Sequence, residues 1–231
     1  ENWYHWLIEI LPAAYFAQRL PARYDDYPFL VPRRILEIPQ FSEALQSLLG
    51  GREILPLDKK LFRVGKLVVI DQMVREPINM RVGHWPQAED YAYNPDLMLD
   101  YRQALMDSLG IAFEAPTKKL FLARGHSRRS YNQEDLLRVA QRHGFEAFYP
   151  EKHSFREQVE TFARAKCIVG PSGAAFANSI FCQKDTRLLS WLVSNYSGFC
   201  SYSNIATTVG THLRYMFVDA DTEIKSTFDA Y

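Results

Sequence analysis

Residues 118–178 have the sequence KKLFLARGHSRRSYNQEDLLRVAQRHGFEAFYPEKHSFREQVETFARAKCIVGPSGAAFAN, in which short apolar runs alternate with segments of helical period. Continuous apolar runs predict buried strands, and apolar residues three to four apart predict helices. The predicted elements are, in chain order, a strand at Lys119–Ala123, a helix at Gln133–His143, a strand at Phe145–Tyr149, a helix at Phe155–Ala165, a strand at Cys167–Gly170 and a helix at Ala174–Phe181. Because alternating strands and helices with short connections favour right-handed crossovers, the stretch predicts an α/β, doubly wound, Rossmann-like layer around a parallel sheet.

The same alternation continues towards the C-terminus, and mixed α/β elements precede it. The downstream predictions are a strand at Leu188–Leu192, a helix near Ser201–Val209 and a last strand at Arg214–Val218. The upstream predictions are a helix over Trp3–Leu20 broken at Pro12, a strand at Phe29–Val31, a helix at Phe41–Leu49, a strand-like β-branched run at Leu67–Ile70, a long loop from Val74 to Pro95 and a helix from Pro95 to Leu109. Two helix starts carry capping signals, Asn132 before one helix and the capping box Ser154–Glu157 at another.

A length of 231 residues allows one large or two modest cores. The sequence predicts an N-terminal α/β lobe at 1–94, a connecting helix at 95–115 and a C-terminal Rossmann-like lobe at 116–231. The chain opens at Glu1 inside a helical pattern without a cap, which predicts either that an upstream part of the natural protein is missing, so that the first lobe is incomplete, or that this lobe is reduced.

Charge and cysteine content narrow the classes of partner and compartment. Lys and Arg balance Asp and Glu at 27 each, so no global field recruits nucleic acid, and any anion must be held locally. Three unpatterned cysteines argue against a disulfide framework or a zinc site and favour a reducing compartment. No apolar run is long enough for a membrane helix, so the chain is expected in the cytoplasm, with a peripheral position at the inner face of the membrane as a further option.

Two loops that follow predicted strands have the composition of an anion site. In an open parallel sheet, ligands bind beyond the carboxyl ends of the strands, where helix N-termini offer free N–H groups. The first loop contains Arg124 and Arg129 and ends at Asn132, which predicts phosphate binding, although a solvated basic loop has the same composition. The second loop, from Gly170 to Asn178, is rich in small residues that let a diphosphate approach the backbone, although a plain tight turn would also fit.

A candidate general base lies near the start of the chain. His5 and Glu9 are four residues apart and therefore share a helix face, where the carboxylate can orient the imidazole. A solvent-exposed pair or a packed histidine is at least as common an explanation of this spacing. The neighbouring Trp3, Tyr4 and Trp6 could stack on a sugar, but aromatic residues at this spacing are more often core.

Taken together, the motifs resemble glycosyltransferase family 61 over nearly the whole chain. The residues that carry the resemblance are Asn2, His5 and Trp6; Arg124, Arg129 and Asn132; Gly144, Phe145 and Glu146; Glu157 and Gln158; and Gly173, Ala174 and Asn178. The resemblance implies a two-lobed GT-B fold, inverting transfer of a sugar from a nucleotide diphosphate donor, no metal requirement, and a role in capsular or other surface polysaccharide synthesis. Many relatives have His before the glycine turn, where this sequence has Ser172.

Within that resemblance each candidate residue has a predicted role. Arg124 and Arg129 neutralise the donor diphosphate, and the amides of Ser172, Gly173 and Ala174 cradle it. Asn132, Gln158 and Asn178 fix the nucleotide or the turn, and Asn178 could instead bond a neighbouring loop. His5, backed by Glu9, deprotonates a glycan or lipid-linked glycan acceptor. The alternatives are another nucleotide-sugar enzyme, such as an epimerase or hydrolase, and a non-catalytic sugar- or nucleotide-binding module.

Overall fold

The computed structural model describes residues 2–58, 61, 63–76, 87–125, 131–194 and 198–219. The N-terminal part begins with a π-helical segment, His5–Ile10, followed by α1, Pro12–Ala17. The backbone N–H of Leu11 bonds to the carbonyl of Trp6 at 2.8 Å, five residues back, just before Pro12, which has no N–H to donate. The predicted broken helix is therefore confirmed.

Short elements follow the first helices. A parallel pair joins β1, Phe29–Pro32, to β2, Ile54–Leu57, and an antiparallel pair joins β3, Val74–Arg75, to β4, Ala92–Tyr93. The helices of this region are α2, Arg33–Glu37; α3, Pro39–Gln46; and α4, Pro95–Ser108, with 3₁₀ turns at Ala22–Tyr24 and Ala88–Asp90. The sequence analysis missed β2. Of its predicted long loop from Val74 to Pro95, residues 77–86 lie outside the described residues, and the described ends contain β3 and β4.

The strand expected at Leu67–Ile70 was wrong. These residues form no regular element, and Leu67 and Val69 are 61% and 79% exposed. The preference of β-branched residues for strands depends on a neighbouring strand and a surface to pack on, and the described residues supply neither here.

The second half of the chain forms a five-stranded, all-parallel sheet. Its strands are β5, Lys118–Leu122; β6, Glu146–Phe148; β7, Ala165–Pro171; β8, Arg187–Val193; and β9, His212–Val218. They are arranged in the order β6-β5-β7-β8-β9. The intervening helices are α5, Gln133–Arg142; α6, Phe155–Ala163; a 3₁₀ helix, Ala174–Phe181; and α7, Ser201–Val209, with a 3₁₀ turn at Pro150–Lys152. The Rossmann-like α/β layer predicted from the sequence is confirmed.

Strand β5 shows how the sheet is covered on both faces. Leu120 and Leu122 join a large cluster on one face, whereas Phe121 packs with Trp191 and residues of α5 on the other, as the period of two along a strand requires. The large cluster extends into the N-terminal part, where Leu7 and its neighbours are fully buried. The first helices therefore pack onto the same core as the sheet.

The strand order contains one reversal of winding. Successive strands β6 and β7 lie on opposite sides of β5, so the winding of the sheet reverses between β5 and β7. In doubly wound sheets the loops at the carboxyl ends of the strands leave a crevice at this reversal, and ligands bind there. The loops that follow β5 and β7 are the two that the sequence analysis selected.

Candidate functional site

The loops after β5 and β7 meet at the reversal of the sheet. The Arg124 Nη2 donates a hydrogen bond of 2.6 Å to the carbonyl oxygen of Ser172. A Cβ placed on Gly173 would lie 2.8 Å from the same Nη2. The structure therefore brings Arg124, Ser172 and Gly173 together at one edge of the sheet, as the hypothesis of a shared anion site required.

The backbone of Arg124 is held by the first residue of α5. The Arg124 N–H donates to Gln133 Oε1 at 2.7 Å, and Gln133 Nε2 donates to the Arg124 carbonyl at 3.0 Å. Tyr131 adds a hydrogen bond of 2.8 Å to the same Gln133 oxygen. Sequence reasoning missed Gln133, because a glutamine at a helix start carries no signal that its side chain turns back to the preceding strand.

The cap predicted at Asn132 was wrong. This residue precedes α5, but its side chain makes no capping hydrogen bond, and its ψ of 54° lies outside the extended conformation that N-cap residues adopt. Arg129, the other end of the basic motif, lies outside the described residues, so its predicted role stays a prediction.

The glycine turn at Ser172–Ala174 has fewer backbone amides left for an anion than the sequence suggested. Ser172 is buried, and its N–H donates to the Trp191 carbonyl at 2.9 Å, so that amide is already used by the sheet. Gly173 and Ala174, both half-buried at the start of the 3₁₀ helix, are the remaining amides of the predicted cradle. Gly173 has a φ of 174°, so its backbone does not require glycine. The restriction comes from Arg124, which leaves little room for a Cβ.

Gln158 and Asn178 form a buried polar network behind the turn. Asn178 Nδ2 donates to Gln158 Oε1 at 2.8 Å, and Asn178 Oδ1 accepts from Trp3 Nε1 at 2.9 Å. Gln158 Nε2 bonds the Pro150 carbonyl at 2.9 Å and the His153 carbonyl at 3.2 Å. Of the roles left open for Asn178, the contacts observed are those to neighbouring elements, which hold the helix after the glycine turn against the start of the chain.

The predicted His5–Glu9 pair is formed, and a third residue joins it. His5 Nδ1 and Glu9 Oε2 are 2.5 Å apart, and the backbone N–H of Glu76 donates to the other Glu9 oxygen at 3.2 Å. One ligand atom from each of the three side chains lies within 4.8 Å of the others. Sequence reasoning missed Glu76 because it is 67 residues from Glu9 and has no motif around it.

Burial and hydrogen bonding shift the pKa values of two members of this group, which consists of His5, Glu9 and Glu76 and is called the His5 cluster below. The hydrogen bond to Glu9 is the largest effect on His5 and raises the pKa of its imidazole. Burial is the largest effect on Glu76 and raises the pKa of its carboxyl, and the hydrogen bonds with Ser201 and Tyr4 oppose this rise. Among the residues that the structure describes, this group is the set that could also offer ligands to a metal ion.

The aromatic residues beside His5 belong to the core. Tyr4 and Trp6 are almost completely buried, and Trp6 stacks on Phe41 with ring centroids 5.6 Å apart. Tyr4 packs against Tyr202, which in turn contacts Phe176 two residues beyond Ala174. These rings connect the His5 cluster to the helix that follows the glycine turn.

Comparison with known proteins gives the family. The family model described as Glycosyltransferase 61 matches residues 3–189, which include all the candidate residues described above. The chain belongs to glycosyltransferase family 61. No curated protein that was compared matches the chain.

Membership in family 61 implies a glycosyltransferase, which acts on a sugar donor and an acceptor. The matched span covers both the His5 cluster and the meeting point of Arg124 with Gly173, so the two candidate groups belong to the family region. None of the helices in the described parts of this family 61 chain is long and apolar enough to cross a membrane.

Proposed function

We propose that this family 61 protein is an inverting glycosyltransferase that takes its sugar from a nucleotide diphosphate donor and transfers it to a glycan hydroxyl. The observation that carries the proposal is the contact of Arg124 with the Ser172–Gly173 turn at the reversal of the sheet. A guanidinium group beside backbone amides at that edge suits a diphosphate, since it neutralises charge and donates hydrogen bonds.

In the proposed mechanism the donor-side residues stabilise the leaving group. As the bond between the anomeric carbon and the diphosphate breaks, negative charge grows on the departing oxygen. Arg124, already oriented by Gln133 at its backbone, would meet that charge. Arg129 keeps the same proposed role from the sequence, and Gln158 and Asn178 would act by holding the turn.

On the acceptor side, His5 is the proposed general base. The Glu9 carboxylate holds Nδ1, which leaves Nε2 as the nitrogen to accept the proton of the acceptor hydroxyl. The deprotonated oxygen attacks the anomeric carbon from the face opposite the diphosphate, which inverts the configuration. The raised pKa of His5 makes the imidazole a stronger base for this step.

The wider assignments are part of the same proposal. They are a two-lobed GT-B arrangement, with residues 1–94 on the acceptor side and 116–231 on the donor side, a glycan or lipid-linked glycan as acceptor, and surface or capsular polysaccharide as product. The family match supports sugar transfer, and the parallel sheet at 118–218 supports a Rossmann-like fold for the proposed donor side.

Turnover of a panel of nucleotide sugars, with and without acceptor glycans, tests the proposal. We expect release of the nucleoside diphosphate only when both substrates are present, with the product in the inverted configuration. Consumption of the donor without an acceptor would instead indicate an epimerase or hydrolase. Binding of nucleotides without any turnover across the panel would indicate a binding module.

Metal removal provides a second test. Because the proposed neutralisation of the diphosphate rests on arginines, we expect turnover to be unchanged in excess EDTA. Loss of turnover that Mn²⁺ restores in the wild type but not in Glu76→Gln would contradict the metal-free mechanism and assign the His5, Glu9 and Glu76 cluster to an ion.

A further inference from the structure

Glu151 lies beside the candidate donor site, and none of the proposed steps uses it. It follows β6, the neighbour of β5 on the side away from β7. Its Oε1 accepts a hydrogen bond of 2.8 Å from the backbone N–H of Gly125, the residue after Arg124. Gly173 thus approaches the Arg124 loop from one neighbouring strand, and Glu151 approaches it from the other.

The position of Glu151 is fixed by its surroundings. Gln40 Nε2, from the N-terminal part of the chain, donates to the carbonyl oxygens of Glu151 and His153, both at 3.1 Å. A Cβ on Gly125 would lie only 2.6 Å from Glu151 Oε1, so glycine is what allows the carboxylate this close approach. The side chain itself is exposed and therefore accessible to a ligand.

The chemistry of a carboxylate at this edge selects one part of a nucleotide. A carboxylate repels a diphosphate, so Glu151 cannot serve the group that Arg124 is proposed to bind. It accepts hydrogen bonds only, and its two oxygens have room for more than the single Gly125 N–H. In doubly wound dinucleotide-binding sheets, an acidic residue downstream of the first βα turn accepts a hydrogen bond from the 2′-hydroxyl of the ribose.

We propose that Glu151 binds the ribose hydroxyls of the donor nucleotide and selects ribonucleoside over 2′-deoxyribonucleoside diphosphates. This inference rests on the proposed function, because it requires a nucleotide at the edge formed by Arg124 and Gly173. The competing explanation is that Glu151 only holds the Gly125 N–H and thereby shapes the loop.

Isothermal titration separates these explanations. The ligands are UDP, GDP, ADP and CDP, the 2′-deoxy counterpart of each, and inorganic pyrophosphate, which has no ribose. The variants are Glu151→Gln, whose amide oxygen can still accept from Gly125, and Glu146→Gln as a control at the opposite end of β6, where Glu146 is also exposed.

We expect the wild type to bind the preferred ribonucleotide about tenfold more tightly than its 2′-deoxy form, the size of one hydrogen bond to a charged group. Glu151→Gln should remove most of that ratio without weakening pyrophosphate binding, because it removes a negative charge that repels the diphosphate, whereas Glu146→Gln should behave as wild type.

Two results would overturn this inference and leave the proposed function standing. One is an equal affinity of the wild type for the ribo and deoxy forms. The other is a Glu151→Gln variant that loses ribonucleotide, deoxynucleotide and pyrophosphate binding to the same extent, which would assign Glu151 to loop structure. If no nucleoside diphosphate binds the wild type, the proposed function fails and this inference fails with it.

Discussion

Gly170 and Gly173 lie three residues apart, and the structure gives each a different reason to be glycine. A Cβ on Gly170 would lie 2.8 Å from Leu122 Cβ and 3.1 Å from the Leu122 carbonyl oxygen, so β5 and β7 would have to move apart. A Cβ on Gly173 would meet the end of the Arg124 side chain, which can rotate away. The first glycine serves packing of the sheet, and the second leaves room for the Arg124 guanidinium.

Gly170→Ala should therefore lower the free energy of unfolding by about 1–3 kcal/mol, the usual cost of overpacking a core. Urea denaturation measures this change. Gly65→Ala is the control, because nothing lies within 4 Å of its added Cβ. Equal stability of the Gly170 and Gly65 variants would contradict the packing argument.

Gly173→Ala should leave stability nearly unchanged and weaken nucleoside diphosphate binding, because the new methyl group displaces Arg124. Arg124→Ala should weaken nucleoside diphosphate binding further, by about tenfold or more, since a charge-assisted hydrogen bond to phosphate is lost.

Titration with the nucleotide that the wild type binds measures the affinity of both variants. Arg138→Ala, in the exposed face of α5 and paired with Asp135, is the matched control and should bind as wild type. An Arg124 variant with wild-type affinity would remove the main support for the donor site.

At the scale of elements, the start of α6 joins the two parts of the chain. Ser154 and Glu157 form the capping box that the sequence predicted. Glu43, from α3, also accepts hydrogen bonds from the N–H groups of Phe155 at 2.6 Å and Arg156 at 3.0 Å. A carboxylate at a helix N-terminus is favourable because it satisfies free N–H groups and faces the positive end of the helix dipole.

Glu43→Ala should cost about 1–3 kcal/mol of unfolding free energy, because it leaves two N–H groups without their acceptor. Ser154→Ala should cost about 1 kcal/mol. Chemical denaturation measures both, with the exposed Glu53→Ala as a control that should change stability by less than about 0.5 kcal/mol. If the Glu43 variant is as stable as the Glu53 variant, water replaces the Glu43 carboxylate at the start of α6 without loss of unfolding free energy.

At the scale of the whole molecule, one polar network ties the first turn of the chain to α6 and to the 3₁₀ helix after the glycine turn. Asn178 lies 175 residues from Trp3 and bonds it, together with Gln158. Asn178→Ala leaves both partners unsatisfied in the core and should destabilise the protein by about 2–4 kcal/mol. Trp3→Phe removes one donor and should cost less. If Asn178→Ala instead lowers nucleotide affinity at unchanged stability, the residue contacts the donor rather than the fold.

The His5 cluster predicts one contribution to the pH dependence of stability. Burial raises the pKa of Glu76 above its ordinary 4.5, and the hydrogen bond to Glu9 raises the pKa of His5 above its ordinary 6.5. Both groups bind protons more tightly in the folded state. Their contribution to stability is therefore present below those ordinary values and is lost as pH rises through the folded pKa of each group.

Glu76→Gln removes a buried charge that forms only at higher pH. The stability of the variant minus that of the wild type should therefore be larger at about pH 8 than at about pH 4. Thermal melts across this range measure the difference. If the difference in melting temperature between Glu76→Gln and the wild type does not change with pH, the pKa of Glu76 is not raised by folding.

The sequence by itself determined the α/β alternation of residues 118–218. Periods of two and 3.6 and the capping box Ser154–Glu157 are local signals, and they act on the chain before it is packed. The same signals identified Arg124, Gly173 and the His5–Glu9 pair as candidates. Local signals failed at Asn132, where Gln133 bonds the backbone of Arg124 instead and the expected cap does not form.

Only the tertiary structure decided which of these residues meet. Glu76 joins Glu9 across 67 residues, Glu43 caps α6 across 112, and Asn178 bonds Trp3 across 175. No periodicity encodes such contacts, because they depend on how helices and strands pack around a shared core. The strand order β6-β5-β7-β8-β9, which places Arg124 beside Gly173, was fixed in the same way, since local patterns specify that strands exist but not which strands are neighbours.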